Sequence, residues 1–330
     1  MKKNLTIISI IVFTFLAINS IAKAGIKVVT SIKPIHSLAS YVMDGVGKPD
    51  IIVDGYNSPH NFSLKPSHAK MIEKANLIIW VGEDLETFLE KPLKTISKEA
   101  VNIEIMNLKG IKKLKFRKKN IFEGHDDHGH GHKEHKEHGH DEHKEHGHKE
   151  KKHDDHGHEE HAHGEHDPHV WLDPMNAKII VKEIENQLVK LDPDNASKYK
   201  ANSKKAQSEL DNLTKNIKKD LKKDLRFVVF HDAYQYFENR FGIKVLGALT
   251  VNPDILPGAE QLSEIREVIE HEKVNCLFSE PQFNPAIIKS IAKDTKIKTG
   301  VLDPLGATLD KGKGMYSNLL RNMYASFKGC

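Results

Sequence analysis

The run Leu77-Ile78-Ile79-Trp80-Val81 decides the fold class. Five consecutive apolar residues without alternation read as a strand covered on both faces, the environment of a parallel sheet with helices on either side. Working outward, residues 26–30, 50–53 and 101–105 read as further strands. Residues 34–43, 67–75 (capped by Ser67) and 85–96 read as the helices between them. The same alternation resumes at Arg226-Phe227-Val228-Val229-Phe230 and runs through strands at 243–246, 274–278 and 297–301, with helices at 259–271 and 284–293. Near-continuous apolar strands separated by helices of about ten residues imply βαβ units. The expected fold is therefore α/β, with two lobes, each a mainly parallel sheet flanked by helices.

Between the lobes, residues 194–224 contain no Pro or Gly, and Ala206, Leu210, Leu213, Ile217 and Leu221 recur at threes and fours. That spacing predicts one long rigid helix of roughly 46 Å joining the lobes; a surface helix of the second lobe is the other reading. The resulting division is a first lobe at 25–193, a linking helix at 194–224 and a second lobe at 225–330.

Only 38% of the 330 residues are apolar, but the shortfall is local. Sixteen of the 22 histidines lie between His125 and His166, and residues 123–167 carry 15 acids against 6 lysines. This acidic, His-rich insertion in the first lobe has no apolar periodicity and is expected to be disordered without metal. The rest of the chain carries a compensating positive charge as dispersed lysine, with no Arg-aromatic patch, so no nucleic-acid partner is expected.

Lys2 and Lys3, the apolar run 5–17 and Ala22-Lys23-Ala24 form a basic, apolar and small-x-small sequence, the pattern of a secretory signal peptide over 1–24 cleaved near Ala24. The run is short and broken by Thr6, Ser9 and Thr14, against a membrane anchor. No cysteine follows the small residues, so no lipid anchor is expected. In an oxidising compartment Cys276 and Cys330 most simply form one disulfide, closing a loop of about 54 residues worth at most ~4 kcal/mol. Two free thiols would be the cytosolic alternative.

No H-E-x-x-H, G-x-S-x-G, Walker A loop or G-x-G-x-x-G occurs, which removes the commonest hydrolase, nucleotide and dinucleotide readings. Of the histidines outside the tract, His36, His68 and His271 fall within expected helices and read as structural or solvated. The other three stand at turns: His60 after the 50–53 strand, His169 before a helix, and His231 directly after the 227–230 run. Ligands of open α/β sheets bind beyond the carboxyl ends of strands, where Asp303 also stands. Three imidazoles with a carboxylate or water make a tetrahedral zinc site, although any one of them alone reads more readily as a hydrogen-bonded surface or core residue.

Seven stretches carry a resemblance: 55–67 (GYNSPHNFSLKPS), 76–82 (NLIIWVG), 169–174 (HVWLDP), 229–237 (VFHDAYQYF), 251–258 (VNPDILPG), 279–283 (SEPQF) and 302–306 (LDPLG). In that order they resemble the zinc-specific periplasmic solute-binding proteins of bacterial ABC transporters, the ZnuA type, over nearly the whole mature chain. The resemblance implies two lobes joined by a rigid helix, Zn2+ held between them as transported ligand, and a membrane permease as partner. It implies His60, His169 and His231 as ligands, with Asp303 or water completing the shell. Manganese-specific relatives have a glutamate where His231 stands. Pro59 occupies a position that is acidic in some zinc members and cannot ligate through its side chain. The family also has a disulfide near the C-terminus, and Cys276 matches it.

The expectation is thus a monomeric periplasmic zinc receptor that performs no catalysis, with the tract binding further zinc weakly, either to hand it on or only to buffer it. Three alternatives remain: a manganese or iron receptor of the same family, a secreted His-rich zinc buffer, and a zinc hydrolase using Glu280 or Asp232 as base.

Overall fold

The computed structural model describes residues 25–117, 119–122, 164–222, 225–253, 255 and 257–330. The expected leader, 1–24, and the expected disordered tract lie outside these residues, apart from 164–167 at the end of the tract. In the first lobe, β1 (Val28–Ile32), β2 (Asp50–Val53), β3 (Leu77–Trp80) and β4 (Val101–Glu104) form a parallel sheet in the order β2-β1-β3-β4. Its connections are α1 (Lys33–Val42), α2 (Pro66–Glu73) and α3 (Thr87–Thr95). Every residue of β1 and β3 is buried, which is why β3 is apolar throughout instead of alternating and why β1 carries only the small hydroxyls Thr30 and Ser31 among its apolar residues. Helix α2 begins one residue earlier than expected. Pro66 takes the first helical position, for which its fixed φ and missing N–H suit it, so Lys65 caps the helix and Ser67 lies inside the first turn.

Two long helices, α4 (Pro174–Leu191) and α5 (Ala196–Asp220), follow and pack against each other. The expected helix over 194–224 is thus 25 residues long, about 37 Å, because a short 3-10 turn at Pro193–Asn195 precedes it and Leu221 is extended. Its apolar face, with Ala206, Leu210, Leu213 and Ile217, is buried against α1 and α4.

The second lobe repeats the plan. Strands β5 (Arg226–His231), β6 (Lys244–Thr250), β7 (Cys276–Ser279) and β8 (Lys298–Val301) run parallel in the order β6-β5-β7-β8. Helices α6 (Gln235–Phe241), α7 (Ala259–His271) and α8 (Ala286–Thr295) connect them. The last helix, α9 (Met315–Gly329), was not expected from the sequence and is a second tie between the lobes. It starts against α1, where the Tyr316 N–H donates to Ser37 Oγ at 2.9 Å. It ends in the second lobe, where the Phe327 ring lies 4.8 Å from Phe227 and 5.5 Å from Phe278. The disulfide Cys276–Cys330, with Cα atoms 5.8 Å apart, fastens that end to β7.

The lobes share one hydrophobic core, which runs from Ile32 and Ile35 through Trp171 and Tyr316 to Tyr234 and Phe278, and only the outer half of the second lobe has a separate cluster. Polar ties cross the same boundary. The buried Lys33 ammonium donates to the carbonyls of Gly306, Ala307 and Leu309 at 3.0–3.2 Å. The Arg240 guanidinium grips both oxygens of Asp173, the N-cap of α4, at 2.6–2.7 Å.

Candidate metal centre

Three separate segments deliver the site. His60 stands on the turn after β2, where Pro59 and the Ser58 hydroxyl, which accepts the His60 N–H at 3.3 Å, shape the backbone. His169 precedes a 3-10 turn, Val170–Leu172, that leads into α4. His231 is the last residue of β5, at the point in the second sheet where chain order reverses between β5 and β7, the usual ligand position of an open α/β sheet. The rings converge, with centroids 5.5 Å apart for His60 and His169, 5.2 Å for His60 and His231, and 4.9 Å for His169 and His231. One nitrogen from each lies within 4.8 Å of the others. At Zn–N bonds of about 2.0–2.1 Å, tetrahedral ligands stand about 3.4 Å apart, so small side-chain rotations bring the three onto one ion. His169 and His231 are buried, while His60 is half-buried at the mouth.

The cleft around them is walled by Pro59, Trp171, Phe283, Pro304 and Leu305. The space that a water-sized sphere can occupy in it is about 10 Å³, room for about one water or ion. That is far below the roughly 300–1,000 Å³ of ordinary small-molecule pockets.

A neighbouring carboxylate orients the His169 ring. His169 Nδ1 lies 2.6 Å from Asp167 Oδ1, which also accepts the His169 N–H at 2.9 Å, and the Tyr236 hydroxyl holds the Asp167 carbonyl at 2.6 Å. With Nδ1 committed, Nε2 is the nitrogen left for a ligand, the arrangement in which a carboxylate fixes both tautomer and ring angle. Burial pushes the His169 imidazole down to about 4, so it is neutral at neutral pH, as a metal ligand must be. Burial also raises the Asp167 carboxyl to about 7. Glu280, just beyond β7, lies 3.7 Å from His231 Nδ1 and accepts from the Tyr234 hydroxyl at 2.8 Å; its burial raises it to about 8.

Asp303 stands apart from this group. Its Oδ1 accepts from the Ala307 N–H at 2.9 Å and Gln282 Nε2 at 3.2 Å, and its Oδ2 accepts from the Thr308 N–H and hydroxyl at 3.0 Å each. These donors hold the carboxylate in the turn after β8, and among the described residues the converging set consists of the three histidines. Asp232, next to His231 in the chain, is bound to Arg117 at 2.7 Å. His36 bonds the Pro49 carbonyl at 3.1 Å, tying α1 to the loop before β2, and His68 accepts the Lys65 N–H at 3.1 Å at the start of α2, so both have structural roles.

Asp167 escaped the sequence reading because it was grouped with the acidic tract, although it is fully buried. The carboxylate two residues before His169 was the signal that could have separated it. Glu280 was visible by the same strand-end argument that singled out His231.

The family model described as "Zinc-uptake complex component A periplasmic" matches residues 28–330. The high-affinity zinc uptake system protein ZnuA of Brucella abortus (strain 2308) is 48% identical over 314 residues, covering 94% of this chain and 93% of that protein. The protein of the same description from Yersinia pestis is 36% identical over 311 residues, covering 93% and 92%. Among solved structures, a ZnuA crystal structure superposes with a TM-score of 0.71 at 22% identity, covering 93% of this chain and 99% of that one. The laminin-binding protein Lmb of Streptococcus agalactiae, described as having adhesin and metal-transporting activity, gives 0.68 at 23% identity, covering 92% and 100%. These structural likenesses establish the shared two-lobed fold.

Proposed function

The chain belongs to the family of periplasmic zinc-uptake component A, and from that membership we propose that it is the high-affinity zinc receptor of an ABC transporter. It captures Zn2+ between its lobes and presents the ion to a membrane permease. The observation that carries this reading is the convergence of His60, His169 and His231, one nitrogen each within 4.8 Å, from three unconnected segments. An all-imidazole donor set favours Zn2+ over Mn2+, which prefers more oxygen, and so argues against a manganese or iron receptor. The fourth tetrahedral position falls to water. Asp303 could enter the shell only by giving up the Ala307 and Thr308 donors.

Catalysis is not part of the proposal. A hydrolase needs room for a substrate beside the metal and a base to activate its water. The cleft is smaller than a typical substrate pocket, Asp232 is committed to Arg117, and Glu280 is committed to Tyr234. The protein acts as a monomer in the periplasm after removal of its leader, and the His-rich tract binds additional zinc weakly.

The test is a chelator-competition titration of mature protein lacking residues 125–166, with Zn2+ and with Mn2+. One tight zinc site per chain with much weaker manganese supports the receptor. Absence of any tight site would leave the tract as the main binder, making the protein a zinc buffer.

A further inference from the structure

The first lobe reaches into the second by a route other than α5. The Leu114 N–H donates to the Tyr236 hydroxyl at 2.9 Å, and the chain then runs to the outer edge of the second sheet. There the Ala248 N–H donates to the Asn120 carbonyl and the Phe122 N–H to the Leu246 carbonyl, both at 2.8 Å, with Ile121 bridged antiparallel to Gly247. Residues 120–122 therefore add a short antiparallel strand to β6 and cover an edge that would otherwise be open. Gly247 makes the approach possible, since a Cβ there would stand 2.9 Å from the Asn120 carbonyl oxygen. On the other side of the tract, Glu165 and His166 return to pair with Phe116 and Lys115.

Arg117 lies in this stem, with its guanidinium 3.9 Å from the Phe122 ring centroid. Nη1 donates to Asp232 Oδ1 at 2.7 Å and Glu238 Oε1 at 3.2 Å, and Nη2 donates to Glu238 Oε2 at 2.8 Å. Both acids are about 5% exposed and belong to the second lobe. Asp232 follows His231 by one peptide bond, and Glu238 also holds the Val245 N–H of β6 at 3.1 Å. A single cation thus balances two buried carboxylates at the end of the strand that carries a metal-site histidine. Without it, the two acids repel each other in a poorly solvated setting and draw apart, which displaces the backbone next to His231.

We propose that Arg117 is a positioning residue for the metal site: by holding Asp232 and Glu238 together it fixes the β5 end that aims His231 at the ion, and it ties that aim to the stem of the His-rich tract. This rests on the assignment of His231 as a ligand. The planar fork matters, because an ammonium reaches one carboxylate well but not both in the same geometry.

The test compares mature wild type, Arg117→Met, Arg117→Lys and the charge-compensated Arg117→Met/Asp232→Asn/Glu238→Gln. Zinc affinity and release rate are read by chelator competition, and ligand geometry by the visible absorption of bound Co2+. Arg117→Met should raise the zinc Kd about 10–100-fold, the range for residues that orient a ligand, and change the cobalt spectrum. Arg117→Lys should fall between, and the triple variant should recover most of the loss. Should Arg117→Met fail to fold, Arg117→Lys decides alone. Wild-type affinity and an unchanged cobalt spectrum in the folded variants would overturn the proposal, even with lowered stability. His231→Ala measured alongside separates the two ideas: tight zinc binding retained there defeats the site itself, not merely the role of Arg117.

Discussion

Truncating His60 and truncating His169 should weaken zinc binding alike but affect the metal-free protein very differently. Binding free energies of about 10–16 kcal/mol for four-ligand zinc sites correspond to roughly 3–4 kcal/mol per ligand, so either substitution to Ala should raise Kd by about 10²–10³-fold. His60 is half-buried on a turn, and its loss should change the stability of the metal-free protein by no more than about 0.5 kcal/mol. His169 is 3% exposed and donates to a fully buried Asp167. Its loss removes that partner and leaves a cavity, costing about 2–4 kcal/mol. The assays are chelator competition for Kd and urea unfolding of the metal-free variants. An His60→Ala variant that binds zinc like wild type would refute the three-histidine assignment. Equal stability losses in the two variants would refute the account of Asp167 as the partner that orients His169.

Replacing His231 with Glu should narrow the ratio of zinc to manganese affinity, measured by parallel competition titrations; an unchanged ratio would mean that cleft geometry, not donor type, sets selectivity. Burial raises Glu86 to about 7, well above its unfolded value near 4.5, so the unfolded chain ionises first. The folded state is favoured fully below about pH 4.5, and that advantage fades as pH rises through 7, by about 3 kcal/mol in all. Glu86→Gln should flatten the stability-versus-pH curve between pH 5 and 8 by that amount in urea titrations, and an unaltered curve would place the titration elsewhere. Lys33→Met leaves three carbonyls of the 306–309 segment without their donor, so the urea midpoint should report a loss of about 3 kcal/mol; a loss under about 1 kcal/mol would mean water replaces the ammonium.

What the sequence made legible was local. The continuous apolar run at 77–81 implied a strand covered on both faces, and β3 is such a strand. The histidines at 60, 169 and 231 stood out by position at turns and strand ends, and their nitrogens meet. What stayed hidden depends on partners far away in the chain. Lys33 looked like one more dispersed lysine until its carbonyl partners, some 270 residues on, were brought to it. Arg117 sat in a basic run, and nothing nearby indicated that Asp232 and Glu238 would surround it. At Asp303, position after a strand suggested a ligand, and the structure adds donors in its own turn that hold the carboxylate. Helix α9 went unread because its amphipathic face is divided between two lobes, and only the assembled core explains both halves.

The shared core has a kinetic consequence for a receptor. Two lobes that bury one another's side chains, are spanned by α5 and α9, and are bolted at Cys276–Cys330 would have to expose their shared core to swing apart, so a wide-open form is costly at rest. Affinity then carries almost no penalty for selecting a competent conformer, and capture can run as fast as the ion arrives. The same stiffness makes relaxing open a costly exit for the ion. Unloading must be driven by whatever docks on it, so the dwell time of the ion is set by the encounter with the transporter rather than by the receptor's own fluctuations.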